Sequence, residues 1–138
     1  EPGGKNVQGY TGRPRSLKVA MTAIEEYCRD LSRMMLEGEG KVPGLLQMRR
    51  VMLYGLSDIR RLNERDPTFS FKMQGVSDDK VVEHLWNKYA IALRAEDFYS
   101  RAPEIYELPT LIRASLVHYN TADEVGQLLR GLDELDRR

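Results

Sequence analysis

From Pro14 onward, apolar residues recur at spacings of three and four: Leu17, Ala20, Ile24, Tyr27, Cys28, Leu31, Met34 and Met35. That period places them on one face of a helix. Arg15, Lys18, Glu25, Glu26, Arg29 and Asp30 fill the remaining surface, so the spacing predicts a long amphipathic helix with Pro14 near its first turn. The glycines and proline of "EGEGKVPG" (Glu37–Gly44) end it. Residues 1–14 carry no period and are rich in Gly and Pro, and read as a loop or linker.

The period then changes. Val51–Leu56 reads as a strand, and the polar "SDIRRLNERD" that follows suits a helical turn capped by Ser57. Thr68–Gly75 alternates strictly, with Phe69, Phe71 and Met73 on one side and Ser70, Lys72 and Gln74 on the other. Ser77–Tyr89 returns to the helical period, with Ser77 as N-cap, Asp78 and Asp79 at the positive dipole end, and Val81, Val82, Leu85, Trp86 and Tyr89 as the apolar face. Ala90–Phe98 reads as a strand that turns Ile91, Leu93 and Ala95 one way and Ala92, Arg94 and Glu96 the other. After an irregular connector, "SRAPEIYELP", Ile112, Ala114 and Leu116 alternate with Arg113 and Ser115. A capping box, Thr121-x-x-Glu124, opens a last helix striped by Val125, Leu128, Leu129, Leu132 and Leu135.

Paired strands between helices predict an α+β fold: a small, mainly antiparallel sheet of about four strands with helices packed on one face. The other face would carry Ser70, Lys72, Arg94, Arg113 and Ser115. A polar, basic sheet face is either wet or closed against another domain.

Composition adds exclusions. The 138 residues are 41% apolar and 30% charged, enough for one domain with a core. Lys+Arg and Asp+Glu both number 21, so net charge gives no reason to expect nucleic acid or an acidic membrane as partner. The arginine pairs of Met48–Arg50 and Ile59–Arg61 read as a solvated face. The single cysteine, Cys28, cannot form an internal disulfide and reads as a buried structural thiol, which together with the lack of a long apolar run suggests a cytoplasmic protein. His84 and His118 have no Cys or His at ligand spacing, and His84 reads as a surface residue. "EPGGKN" (Glu1–Asn6) sets paired glycines beside Lys5, where backbone could approach an anion, but without the spacing of a phosphate-binding loop. Arg113 is the strongest candidate: its planar pair of donors matches the two oxygens of a carboxylate.

The segment "LIRASLVHYNTADEVGQLLRGLDEL" resembles the C-terminal signature of the class V aminotransferase group of pyridoxal-phosphate enzymes, on Arg113, Ser115, Tyr119, Asn120, Thr121, Asp123 and Glu124. The "YG" of Tyr54–Gly55, the "RDPTFSF" run, the acidic helix start at Asp78 and the "EPGGKN" loop extend the resemblance across almost the whole chain, toward its cysteine desulfurase-like branch. The resemblance implies a fold-type I small domain (residues 15–138) following a linker (1–14) from an absent upstream large domain of the same polypeptide. It implies pyridoxal phosphate as cofactor of the full-length protein, a homodimer, and a small amino-acid substrate. By the same resemblance, Arg113 binds the substrate α-carboxylate, Arg94 faces the active site, and Gly3 and Gly4 reach the cofactor phosphate. It places the Schiff-base lysine upstream, so that this segment alone would neither bind cofactor nor catalyse. Two departures stand out. Phe98 or Tyr99 occupies the place of the desulfurase nucleophilic cysteine, and Gly4 replaces a loop threonine. Two other readings stand beside this one: a free-standing α+β protein-binding module, and a catalytically silent relative of the desulfurases.

Overall fold

The computed structural model describes residues 7–97 and 101–138. Helix α1 (Gly12–Glu37) starts two residues before Pro14. Its second half is buried through Leu31, Met35 and Leu36, whereas Leu17 and Met21 in its first half are more than half exposed. The apolar stripe is continuous in sequence but packed along only part of its length, where α1 meets the final helix and a short 3-10 helix.

The helix stops at Gly38 (φ +79°), whose N–H donates to the Met34 carbonyl. The glycine-rich stop is more than a terminator. Gly38–Glu39 (β1) pairs antiparallel with Val42–Pro43 (β2) in a tight hairpin. A Cβ on Gly38 would lie 2.1 Å from the Val42 carbonyl oxygen, and one on Gly44 would lie 2.2 Å from that of Leu36. Only glycine permits this approach.

Strand β3 (Val51–Tyr54) follows, then the 3-10 helix Ile59–Glu64. Asp58 caps that helix, not Ser57: the Arg60 N–H donates to Asp58 Oδ1 at 2.9 Å. Strand β4 (Thr68–Met73) shows the expected alternation, and α2 (Asp78–Tyr89) starts after Ser77, whose side chain makes no cap bond. On α2, Val81 and Leu85 are buried but Trp86 is 58% exposed, so the apolar face is narrower than the residue types suggest. Ala90 takes a left-handed cap (φ 53°) and the Ile91 N–H donates to the Leu85 carbonyl. These residues belong to the helix end, which leaves β5 only Arg94–Glu96. Within the expected irregular connector lies a single helical turn, α3 (Ala102–Ile105). Strand β6 (Leu111–Ser115) and α4 (Ala122–Asp136) complete the chain, and the Thr121–Glu124 capping box is present.

The sheet order is β3-β4-β6-β5 and every pairing is antiparallel. Phe69, Phe71, Met73, Ile112 and Ala114 face the helices and meet Leu31, Met35, Leu36, Val81, Leu85 and the α4 leucines in one cluster. Each such side chain contributes roughly 1.5–3 kcal/mol by leaving water. The fold is the α+β arrangement the periods predict, with helices on one side of a four-stranded sheet. No helix among the described residues is long and apolar enough to cross a membrane.

Candidate functional site: the open sheet face

Burial along β6 drops at Arg113 and Ser115, between the buried Ile112, Ala114 and Leu116. Register then fixes their neighbours. Tyr54 pairs with Ser70, Ser70 with Arg113, and Arg113 with Arg94, so these four residues form one row across all four strands. Beside this row Thr68 pairs with Ser115, and the Thr68 hydroxyl donates to Ser115 Oγ at 3.2 Å. Cross-strand partners share a face, so the structure places Ser70, Lys72, Arg94, Arg113 and Ser115 together on the side away from the helices. Arg94 has a side chain 80% exposed, 3.7 Å from Glu96.

One end of this face is partly covered. Leu111, on Arg113's side by alternation, is buried yet stands outside the main core cluster. The connector folds back there, with the Tyr106 ring 4.9 Å from that of Tyr54. Lys72 Nζ donates to Asp78 Oδ2 at 2.6 Å and to the Thr110 carbonyl at 3.2 Å, and the Thr110 hydroxyl donates to the same Asp78 oxygen. Lys72 is thereby held by two acceptors in a half-buried network. The sequence reading missed Tyr54, Tyr106 and this network. Alternation against Leu53 could have placed Tyr54 on the open face. Asp78 reads in sequence only as a helix-start acid, since its partners lie far along the chain.

The "YNT" run owes its residue types to local geometry. Asn120 Oδ1 accepts the Val117 N–H at 2.9 Å, its carbonyl accepts the Tyr27 hydroxyl at 2.7 Å, and Thr121 starts α4. Together these fix the exit of β6 into α4.

Cys28 is half-buried rather than buried, and lines a cleft of about 550 Å³ with Leu62, Pro67 and Leu116 on the helix side. Partial burial raises its thiol pKa, which disfavours the nucleophilic thiolate. His84 also departs from expectation: its side chain is only 13% exposed, with Nε2 3.2 Å from Glu134 Oε2. Gly3 and Gly4 lie outside the described residues, as do Phe98 and Tyr99.

Fold and face together define an α+β domain in which, among the described residues, the helices of the core pack on one side of the sheet and a polar row lies on the other. The aminotransferase class-V family profile matches residues 7–128, and the chain belongs to that family. It is 30% identical to a cysteine desulfurase of Klebsiella pneumoniae (strain 342) over 143 aligned positions, 99% of this chain and 32% of the relative. It is 37% identical over 73 positions to an aminotransferase-like protein of Gibberella zeae, 50% of this chain and 18% of that one. Among solved structures, the apo cysteine desulfurase of Thermococcus onnurineus NA1 superposes with a TM-score of 0.68 at 21% identity, covering 89% of this chain and 30% of that one. Cysteine desulfurase CsdA of Escherichia coli gives 0.62 at 19%, covering 92% and 31%. The chain thus spans about a third of these relatives' length.

The family is in general pyridoxal-phosphate-dependent. On the described open face, no lysine is free to hold that group as a Schiff base. The lysine of the open face, Lys72, is committed to Asp78 and Thr110. What the face does offer is guanidinium and hydroxyl donors.

Proposed function

We propose that this chain is the C-terminal small domain of a pyridoxal-phosphate-dependent enzyme acting on a small amino acid, as a desulfurase-like lyase or an aminotransferase, and that Arg113 holds the substrate α-carboxylate. The observation carrying this reading is the direct cross-strand pairing of Arg94 with Arg113 on the exposed side of the sheet. Like charges opposite one another destabilise a strand pair. Glu96 offsets part of that at 3.7 Å from Arg94. A carboxylate placed over the row would take two parallel N–H bonds from a single fork. The cofactor would supply carbanion stabilisation from the rest of the polypeptide, and a second copy of the chain would complete a homodimer. This chain's part is to orient the substrate, with Ser70 and Ser115 flanking Arg113 as polar neighbours. The isolated segment is then inactive.

The full-length protein provides the test. Visible absorbance identifies the cofactor, and an amino-acid screen finds the substrate. Arg113→Lys retains charge and loses the fork, so kcat/KM should fall by the equivalent of about 2–5 kcal/mol, mostly through KM. An unchanged kcat/KM removes the role. The departure at Phe98 or Tyr99 favours a reaction without a persulfide on that segment. Release of alanine from cysteine with the sulfur carried off by an added small thiol as that thiol's persulfide, and none left on the protein, would fit this; a persulfide located at that segment would not.

A further inference from the structure

On the helix side, a second cleft of about 450 Å³ lies between the turn at Gly75–Val76, the outer face of α2 and the end of α4. Arg50, Lys80, Lys88 and Arg138 line it, with Glu83 and Leu135. In a chain whose charges balance 21 to 21, this is a local excess of cations. Of the carboxylates nearby, Glu83 lines the cleft and offsets one of these charges, while Glu134 and Asp136 are engaged elsewhere. Glu134 Oε1 accepts from Lys88 Nζ at 2.5 Å and from the Tyr89 hydroxyl at 2.9 Å, and Oε2 lies 3.2 Å from His84 Nε2. Asp136 is buried and holds the backbone N–H groups of Arg49 and Arg50.

Among the described residues, Arg50, Lys80 and Arg138 form no side-chain ion pair with a carboxylate. Lys88 is paired with Glu134, whose hydrogen bond raises the lysine's pKa, which leaves Arg50, Lys80 and Arg138 as the cations the cleft can offer an anion. Arg50 is also presented from a clamped backbone. Its N–H donates to Asp136 Oδ1 at 2.6 Å, its carbonyl accepts the Gln74 N–H at 2.7 Å, and its guanidinium reaches over Gly75. Such fixing reduces the ordering a ligand must impose.

We propose that this cleft binds a small multiply charged phosphate-class anion. Several cations spread around a concavity suit separated negative charges, whereas a lone carboxylate is better served by one arginine fork. Lysine binds phosphate as a point charge, and the volume falls within the range of small-molecule sites, roughly 300–1,000 Å³. Leu135 offers one apolar wall for the body of a phosphate ester.

Pyrophosphate titrated calorimetrically into the full-length protein tests this. The expected result is saturable one-to-one binding that weakens as sodium chloride is raised, because displaced counterions and screening oppose it. The double variant Arg50→Gln/Lys80→Gln removes two surface cations while leaving the backbone clamp, and should bind roughly ten-fold more weakly or worse. Lys80→Glu alone, at an exposed position, should also weaken binding. Circular dichroism should remain that of the parent in each variant. Binding elsewhere, including at a cofactor-phosphate site, would be equally strong in parent and variants, and that result overturns the proposal. So does the absence of saturable binding, acetate binding as tightly as pyrophosphate, or tighter binding of a single-stranded oligonucleotide.

Discussion

At the scale of single residues, Asp136 decides more than its position suggests. A carboxylate at the C-terminal end of a helix faces the negative end of the dipole, which is unfavourable. It is buried there because two backbone N–H groups, of Arg49 and Arg50, donate to its two oxygens at 3.2 and 2.6 Å. Asp136→Ala leaves both amides without an acceptor and should lower stability by about 2–3 kcal/mol. Asp136→Asn keeps one good acceptor and should lose less. Urea unfolding midpoints at fixed m-value order the three proteins; an Asp136→Ala midpoint equal to the parent would show that water satisfies those amides. Arg113 and Arg50 illustrate what a sequence reveals at this scale. Arg113 was legible because its neighbours alternate and β6 keeps that alternation through Ser115. Arg50 reads as a solvated arginine, because its acidic anchor lies 86 positions further on. Local pattern assigns a residue to a face, but not to partners brought in by the fold.

At the scale of elements, two glycines of α4 are predicted to respond oppositely to alanine. In a helix interior, glycine costs about 1 kcal/mol relative to alanine, so either substitution begins with that gain. A Cβ on Gly126 would come no nearer than 3.3 Å to the tip of Arg130 and 3.5 Å to Met34 Cε, both flexible. Gly126→Ala should therefore stabilise by a few tenths up to about 1 kcal/mol. A Cβ on Gly131 would stand 2.6 Å from Leu85 Cδ2 and 3.0 Å from the Tyr89 ring, where α2 and α4 cross. Leu85 is fully buried and cannot swing away, and overpacking costs roughly 1–3 kcal/mol. Gly131→Ala should be destabilising on balance, by about 1 kcal/mol. Thermal melts that moved both variants in the same direction would contradict this account of the crossing. Elements were readable in sequence where one period ran unbroken, as in β4 and α4. They were misjudged where tertiary geometry took over: β5 lost its first residues to the left-handed cap at Ala90, and the β1–β2 hairpin depends on close approaches that no period records.

At the scale of the whole molecule, carboxylates tie the surface together and set the response to acid. Hydrogen bonds from Arg60 hold Asp58 down to about 2, and Arg61 lowers Glu64 in the same way. The Thr121 backbone N–H lowers Glu124 within the capping box, and Lys88 with Tyr89 lowers Glu134. In each case the folded pKa lies below the unfolded one, so the unfolded chain binds more protons on acidification. The stabilisation these groups give is present above the unfolded carboxylate pKa, roughly pH 4, and is lost as pH falls through the folded values. The alkaline side runs the other way. Lys88 is raised by its bond to Glu134, and Tyr89 is raised by burial and by the same carboxylate, so their contribution is present below the unfolded pKa and fades as pH rises past the folded one. Because one carboxylate, Glu134, serves both limbs, Glu134→Gln should flatten both. The parent's urea midpoint should stay level from neutral pH to mildly acidic, then drop below roughly pH 4 and again in strong alkali. The variant should start lower and vary less. Since Glu134 and its partners are solvent-accessible, raised salt should shrink the difference between the two proteins. A parent midpoint that fell steeply between pH 7 and 5 would contradict this account, because these carboxylates stay ionised across that range.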